Sequence, residues 1–161
     1  MKIYLASDHA GFELKEKIKK FLLESNYEVQ DFGALIYDAK DDYPDFMHLA
    51  AKALSEDGED SRAIIFGGGG QGEAMVANRY KGVRAAVFYG IRLPISATDI
   101  VGRVSVDQFE QVRLCREHNN ANALALAARF LSEGEALTAV NFFLAAPFSG
   151  DERHVRRLAK F

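Results

Sequence analysis

The chain has 161 residues, 48% apolar and 27% charged, with a formal net charge of −3. That length suits one domain of about 150 residues around one core, and the balance excludes a disordered tail, a collagen-like fibre and a disulfide scaffold. No apolar run nears the roughly 18 residues of a membrane span, no basic surface marks a nucleic-acid binder, the opening stretch turns polar too early for a signal peptide, and the single cysteine suits a reducing cytoplasm.

Short β-rich runs alternate with amphipathic helical stretches. Residues 2–7 predict a first strand, closed by Asp8, His9 and Gly11. Leu14, Ile18, Phe21 and Leu22 then recur at helical spacing, with Lys15, Lys17, Lys19 and Lys20 between them. A second strand is expected over 27–32. After Pro44, Phe46, Leu49, Ala50 and Leu54 mark a helix of about ten residues. Residues 63–66 are continuously apolar, the pattern of a strand buried on both faces. Four glycines follow, then a helix from Gln71 or Gly72 to Arg79 and a fourth strand over 83–89. A helix is expected over 106–118 with Phe109 and Val112 inward, and a fifth strand over 122–128. Ser132 and Glu135 form a capping-box pattern for a helix to about Leu144. Pro147 and Gly150 break the chain before a short basic helix over 152–160. Five strands alternating with helices predict a single-domain, Rossmann-like three-layer α/β sandwich with a parallel, doubly wound sheet and an additional C-terminal helix. Such sheets bind ligands outside the carboxyl ends of their strands. Asp8-His9, the glycine run and Arg129 follow strands one, three and five, and are expected to converge there.

The run Gly67-Gly68-Gly69-Gly70-Gln71-Gly72 matches G-x-G-x-x-G between a strand and a helix, the setting of a dinucleotide fingerprint. It follows the third strand rather than the first, and Val87-Phe88-Tyr89-Gly90 lacks the acidic residue expected at the end of the next one. No Lys-Ser/Thr pair makes it a Walker A loop. A tight turn needs only one or two glycines; five in six positions favour backbone N–H groups bared for an anion or a closely approaching ligand. Glu73 lies in the first helical turn beside this loop. A carboxylate there either complements the helix dipole or acts as a base, removing a proton alpha to a carbonyl while N–H groups hold the enediolate oxygen.

His9 and His118 fall at predicted element ends taken to lie on the ligand side, His154 falls in the terminal basic helix, and His48 suits a structural or surface role. The polar run Arg116-Glu117-His118-Asn119-Asn120 before a buried strand suggests a lined pocket. No His, Cys and carboxylate set has zinc spacing, so no metal is expected. Cys115 suits core packing better than nucleophilic attack. Arg153 and Arg157 are i, i+4 neighbours beside His154: either a solvated basic tail or a phosphate clamp using arginine's fork of donors.

Five motifs in order, spanning nearly the whole chain, now carry a resemblance. Ser7-Asp8-His9-Ala10-Gly11-Phe12, Asp42-Tyr43-Pro44, the glycine loop through Ala77-Asn78-Arg79, Gly82-Val83-Arg84-Ala85 and Arg116-Glu117-His118-Asn119-Asn120-Ala121 resemble the type B ribose-5-phosphate isomerases. That family includes galactose-6-phosphate isomerase subunits and allose-6-phosphate isomerases. The resemblance implies that Glu73 shuttles a proton between C1 and C2. Many members use a cysteine after strand three; Gly67 stands there, so the chain resembles the glutamate-using branch. It further implies ring opening by His118, proton movement among sugar oxygens by Asp8, and oxygen stabilisation by Asn119 and the backbone of Gly68, Gly69, Gly70, Gln71 and Gly72. His9, Arg129, Arg153, His154 and Arg157 match phosphate-binding positions, and Tyr43 a sugar-contacting one. Family members are dimers or larger with the pocket between subunits, which implies a homodimer or homotetramer with shared sites.

Two departures stand out: Gly69 replaces the Ser or Thr of relatives, and 91–107 is a long insertion that caps the pocket, extends the dimer interface or alters substrate choice. The expectation is a cytoplasmic aldose–ketose isomerase without cofactor, acting on ribose 5-phosphate and ribulose 5-phosphate through a cis-enediolate. The alternatives are an isomerase of allose 6-phosphate, galactose 6-phosphate or a tetrose phosphate, and a catalytically silent module binding a sugar phosphate or nucleotide.

Overall fold

In a computed structural model, which describes residues 1–57 and 60–161, every strand pair is parallel. Strands β1 (Lys2–Ser7), β2 (Glu28–Asp31), β3 (Ser61–Gly67), β4 (Ala85–Phe88) and β5 (Ala123–Ala127) lie in the order β2-β1-β3-β5-β4. Helices α1 (Phe12–Glu24), α2 (Tyr43–Glu56), α3 (Gln71–Ala77), α4 (Glu110–Asn119), α5 (Glu133–Ala145) and α6 (Glu152–Leu158) follow in chain order. This is the expected α/β architecture. Among the described residues, no helix is long and apolar enough to cross a membrane.

Alternation along the strands sorts large side chains from small ones. In β5, Leu124 and Leu126 join Ile18, Leu22, Val112 and Phe143 in one cluster, while Ala123 and Ala125 pack with Met47, Ala50 and Ala74 in the other. Helices α1, α4 and α5 therefore cover a face of bulky residues, and α2 and α3 a face rich in alanine. Each fully buried Leu or Phe contributes about 1.5–3 kcal/mol, and cover on both faces makes the parallel sheet a three-layer fold.

Boundaries differ where local backbone conformation and turn bonds override hydrophobic spacing. Helix α2 starts at Tyr43 and runs 14 residues, because extended Asp42 at the N-cap and Pro44 in the first turn set the helix off earlier than periodicity suggests. Helix α4 starts at Glu110, four residues later than expected from 106, for a local reason. Ser105 Oγ accepts the Asp107 N–H at 3.1 Å and Asp107 Oδ1 accepts the Phe109 N–H at 2.8 Å, so this stretch turns before it winds. The Ser132–Glu135 capping box forms as expected. Lys15, set by spacing among the polar residues of α1, is instead fully buried. Its ammonium lies 2.6 Å from Asp31 and 2.7 Å from Glu16, and this pairing offsets its desolvation.

From 89 to 109 the chain forms no strand or helix. Arg103 ties this stretch along α4, lying 3.4 Å from Asp99, 2.9 Å from Glu110 Oε1 and 3.5 Å from Glu117. The contact with buried Glu110 Oε1 is ionic rather than an aligned hydrogen bond.

Candidate active site

The carboxyl ends of β1, β3 and β5, adjacent in the sheet, bring one group of residues together. Gly70 opens α3 with φ +73°, a left-handed conformation that glycine adopts without strain, and the chain turns sharply enough to fold Glu73 back over β3. A Cβ on Gly67 would land on Glu73 Oε1. A side chain at 67 and this carboxylate position therefore exclude each other. Glu73 is 4% exposed. Burial pushes its carboxyl above the usual range and the nearby Asp8 charge adds to this, while its own backbone N–H opposes them. A carboxylate whose pKa is raised is a stronger base than a free one.

Asp8 is buried and its Oδ1 accepts the N–H groups of Ala10 at 3.0 Å and Gly11 at 3.2 Å, which locks the carboxylate at the end of β1. A Cβ on Gly68 would stand 3.2 Å from Arg129 Cζ, and one on Gly72 would stand 2.6 Å from Tyr43 Oη. The loop's glycines thus let Glu73, Arg129 and Tyr43 approach the backbone. Gly69 differs: nothing lies within 4 Å of a Cβ there, so a hydroxyl-bearing side chain has room. Gln71 points outward as an exposed residue. Asp8, His9 and Asp41 hold ligand-type atoms within 4.8 Å of one another, a convergence that sequence spacing concealed. Asp8 Oδ1 accepts from Ala10 and Gly11, and Asp41 Oδ1 is bonded by His9, so these contacts hold the three side chains together.

A second group forms elsewhere. His118 ends α4, and a helix that returns to a parallel strand ends at that strand's amino side, near Ala123. Sequence order alone suggests the ligand side for His118; the antiparallel run of helix against strand puts it at the opposite edge. The His154 ring stacks on His118 with centroids 4.3 Å apart. Its Nδ1 donates to the His118 carbonyl at 3.0 Å, leaving buried Nε2 without a hydrogen-bond partner. Burial holds the His118 imidazole below its usual range, with the His154 and Arg153 charges adding to the effect. His118, Arg153, His154 and Arg157 share an open cavity of about 240 Å³ with residues 97–100. Asn119 lines a different cavity, of about 770 Å³, together with Cys115 and residues 78–86. Cys115 is core material: burial pushes its thiol up to about 12, and its Sγ donates to the Val112 carbonyl at 3.0 Å. His48 is exposed, 2.9 Å from Tyr80 Oη.

The match to known proteins runs end to end. Residues 3–93 and 89–161 match the family model described as Ribose/Galactose Isomerase. The chain belongs to the ribose/galactose isomerase family. It is 39% identical to "Ribose-5-phosphate isomerase B" of Mycolicibacterium paratuberculosis, over 98% of this chain and 87% of that protein. The crystal structure of ribose-5-phosphate isomerase B from Mycoplasma genitalium with bound ribulose-5-phosphate superposes with a TM-score of 0.85 at 36% identity, over 99% of this chain and 92% of that one. That of Thermotoga maritima gives 0.79 at 39% identity, over 99% and 95%. The two stretches matching the isomerase family meet at 89–93, where β4 gives way to the segment tied down by Arg103.

Within one chain, the fold gathers Asp8, His9, Tyr43, Gly68, Gly69, Gly70, Gly72, Glu73 and Arg129 at one edge. It gathers His118, Arg153, His154 and Arg157 at the other, with Asn119 beside them. Sequence reading missed Asp41, whose contact with His9 spans 32 residues and follows no motif.

Proposed function

We propose that the protein interconverts ribose 5-phosphate and ribulose 5-phosphate as an aldose–ketose isomerase. The observation that carries this reading is the Glu73 carboxylate, buried over side-chain-free backbone at the carboxyl edge of the sheet with its pKa raised. A base so placed takes the C2 proton of the open aldose and returns it to C1, while N–H groups of the glycine loop hold the oxygen that becomes negative in the cis-enediolate. Asp8 sits close enough to influence Glu73 and moves protons among the sugar oxygens. His118, neutral at lower pH than an ordinary histidine, serves ring opening. His9, Arg129, Arg153, His154 and Arg157 take the phosphate, Arg through paired donors that match its oxygens, and Tyr43 and Asn119 contact the sugar.

These roles need both groups of residues in one pocket, so the working form is a homodimer or a larger even assembly in which the second copy supplies His118 and its arginines. The chain acts as one domain, and the 91–107 insertion walls the phosphate end of that shared pocket, which it lines through residues 97–100. The relative solved with ribulose-5-phosphate supports the choice of pentose. Glu73→Gln tests the reading: it should lower kcat on ribose 5-phosphate by about 10²–10⁴-fold with KM nearly unchanged. Wild-type turnover in that variant, or a wild-type preference for hexose or tetrose phosphates across a panel, rejects it.

A further inference from the structure

Asp41 grips His9 at two points. Asp41 Oδ1 accepts the His9 backbone N–H at 3.0 Å and lies 2.7 Å from the ring Nδ1. The aspartate side chain is 9% exposed, and its Oδ2 is buried without a hydrogen-bond partner. An ionised carboxylate only accepts, so Nδ1 carries the proton in this pair and Nε2 is the nitrogen left for a ligand. The His9 side chain is 27% exposed and within a ligand's reach. The groups facing it are Asp41, Asp8 with Oδ2 3.9 Å from Nδ1, Arg129, and the edge-on ring of Tyr37. Two carboxylates against one guanidinium favour the imidazolium. The hydrogen bond His9 donates to Asp41 is the largest influence raising its pKa, ahead of the opposing desolvation.

We propose that Asp41 is a positioning residue for phosphate binding, which orients the His9 ring through Nδ1 and holds it as a cation with Nε2–H offered to the phosphate. This rests on reading the site as one for a sugar phosphate. Asp41 does not itself bind the anion, since a second carboxylate facing phosphate would repel it. Its charge acts through the imidazole, in the manner of the carboxylates that orient metal-bound or catalytic histidines.

The test is Asp41→Asn, which keeps the shape and an acceptor oxygen but removes the charge. Near neutral pH, KM for ribose 5-phosphate and the inhibition constant of inorganic phosphate should both rise about tenfold. The value of kcat should stay within about twofold. The pH at which phosphate affinity declines should fall relative to wild type, because the ring then loses its proton sooner; the ratio to wild type cancels phosphate's own ionisation. In a His9→Asn background the same substitution should change neither constant. A superimposable pH profile, or an equal loss without His9, overturns the proposal. Should Asp41→Asn fail to fold, NMR titration of the His9 imidazole in the wild-type protein decides: a proton on Nδ1 and a raised pKa support it, an ordinary pKa overturns it. If the wild type isomerises no sugar phosphate yet inorganic phosphate binding depends on Asp41 as described, the functional reading fails and this coupling stands.

Discussion

The two halves of the proposed site are built by different means. The Asp8–Glu73 half hangs on strand ends whose register is fixed by a core on both faces, and its glycines leave almost no slack: Gly67 lies under the Glu73 carboxylate and Gly72 under Tyr43. The His118–Arg153–His154–Arg157 half sits on two short helices and is flanked by an irregular segment tied to α4 by the ion pairs of Arg103 and Arg113. Packing tolerates displacement poorly, whereas half-exposed ion pairs yield to salt and to motion. In the proposed assignment the strict half carries the carbon–hydrogen chemistry, and the phosphate is gripped from both halves, by His9 and Arg129 on one side and by Arg153, His154 and Arg157 on the other.

The sharpest way to break this comparison is to mix the halves. Glu73→Gln and His118→Ala should each be inactive alone, yet subunit exchange between them should restore about a quarter of wild-type activity, since half the pairs are hybrid and one site in each hybrid is intact. No recovery after proven exchange would mean that each chain holds its own complete site. Next in size, Gly67→Ala should cost about a hundredfold in kcat by pushing the Glu73 carboxylate aside, while Gly69→Ser, entering open space, should change it by less than about threefold. Equal effects at the two positions would contradict the tight fit of the strand-end half.

The pH dependence sharpens the same contrast. A base must be ionised, so kcat/KM should fall as pH drops through the raised Glu73 pKa, placing the acid limb above the ordinary carboxylate range. Stability runs the other way. A carboxyl whose pKa is raised by folding stabilises below its unfolded value and loses that contribution as pH rises through the folded one, so Glu73→Gln should melt higher than wild type at neutral pH. Thermal melts at acid and neutral pH check the sign. Smallest in effect, Arg103→Ala should destabilise the fold by about 1–2 kcal/mol, because it strips buried Glu110 of a half-exposed counter-charge, and should raise KM more than it lowers kcat. Chemical denaturation and steady-state kinetics measure both; a kcat loss exceeding the KM effect would place the inserted segment in the chemistry instead.

Much of the strand-end half was legible in advance. The continuous apolar run before the glycines, the alternation of Ala and Leu in β5 and the polar residues after β1 and β3 are local patterns, and strand ends in a parallel sheet point to one edge. The edge on which His118 falls was also legible in principle, since a helix leading into a strand ends at its amino side. The late start of α4 followed from Ser105 and Asp107 competing for backbone N–H groups, which hydrophobic spacing does not register.

By itself the sequence determined the alternating layers, the side-chain-free loop and the carboxylate beside it, because hydrophobic period and glycine content act between near neighbours. Only the tertiary structure decided that Glu73 fills the space a side chain at 67 would need and that Asp41 grips His9. Those relations depend on the closure of long loops and on which edge each connection returns to, and no short-range pattern encodes them.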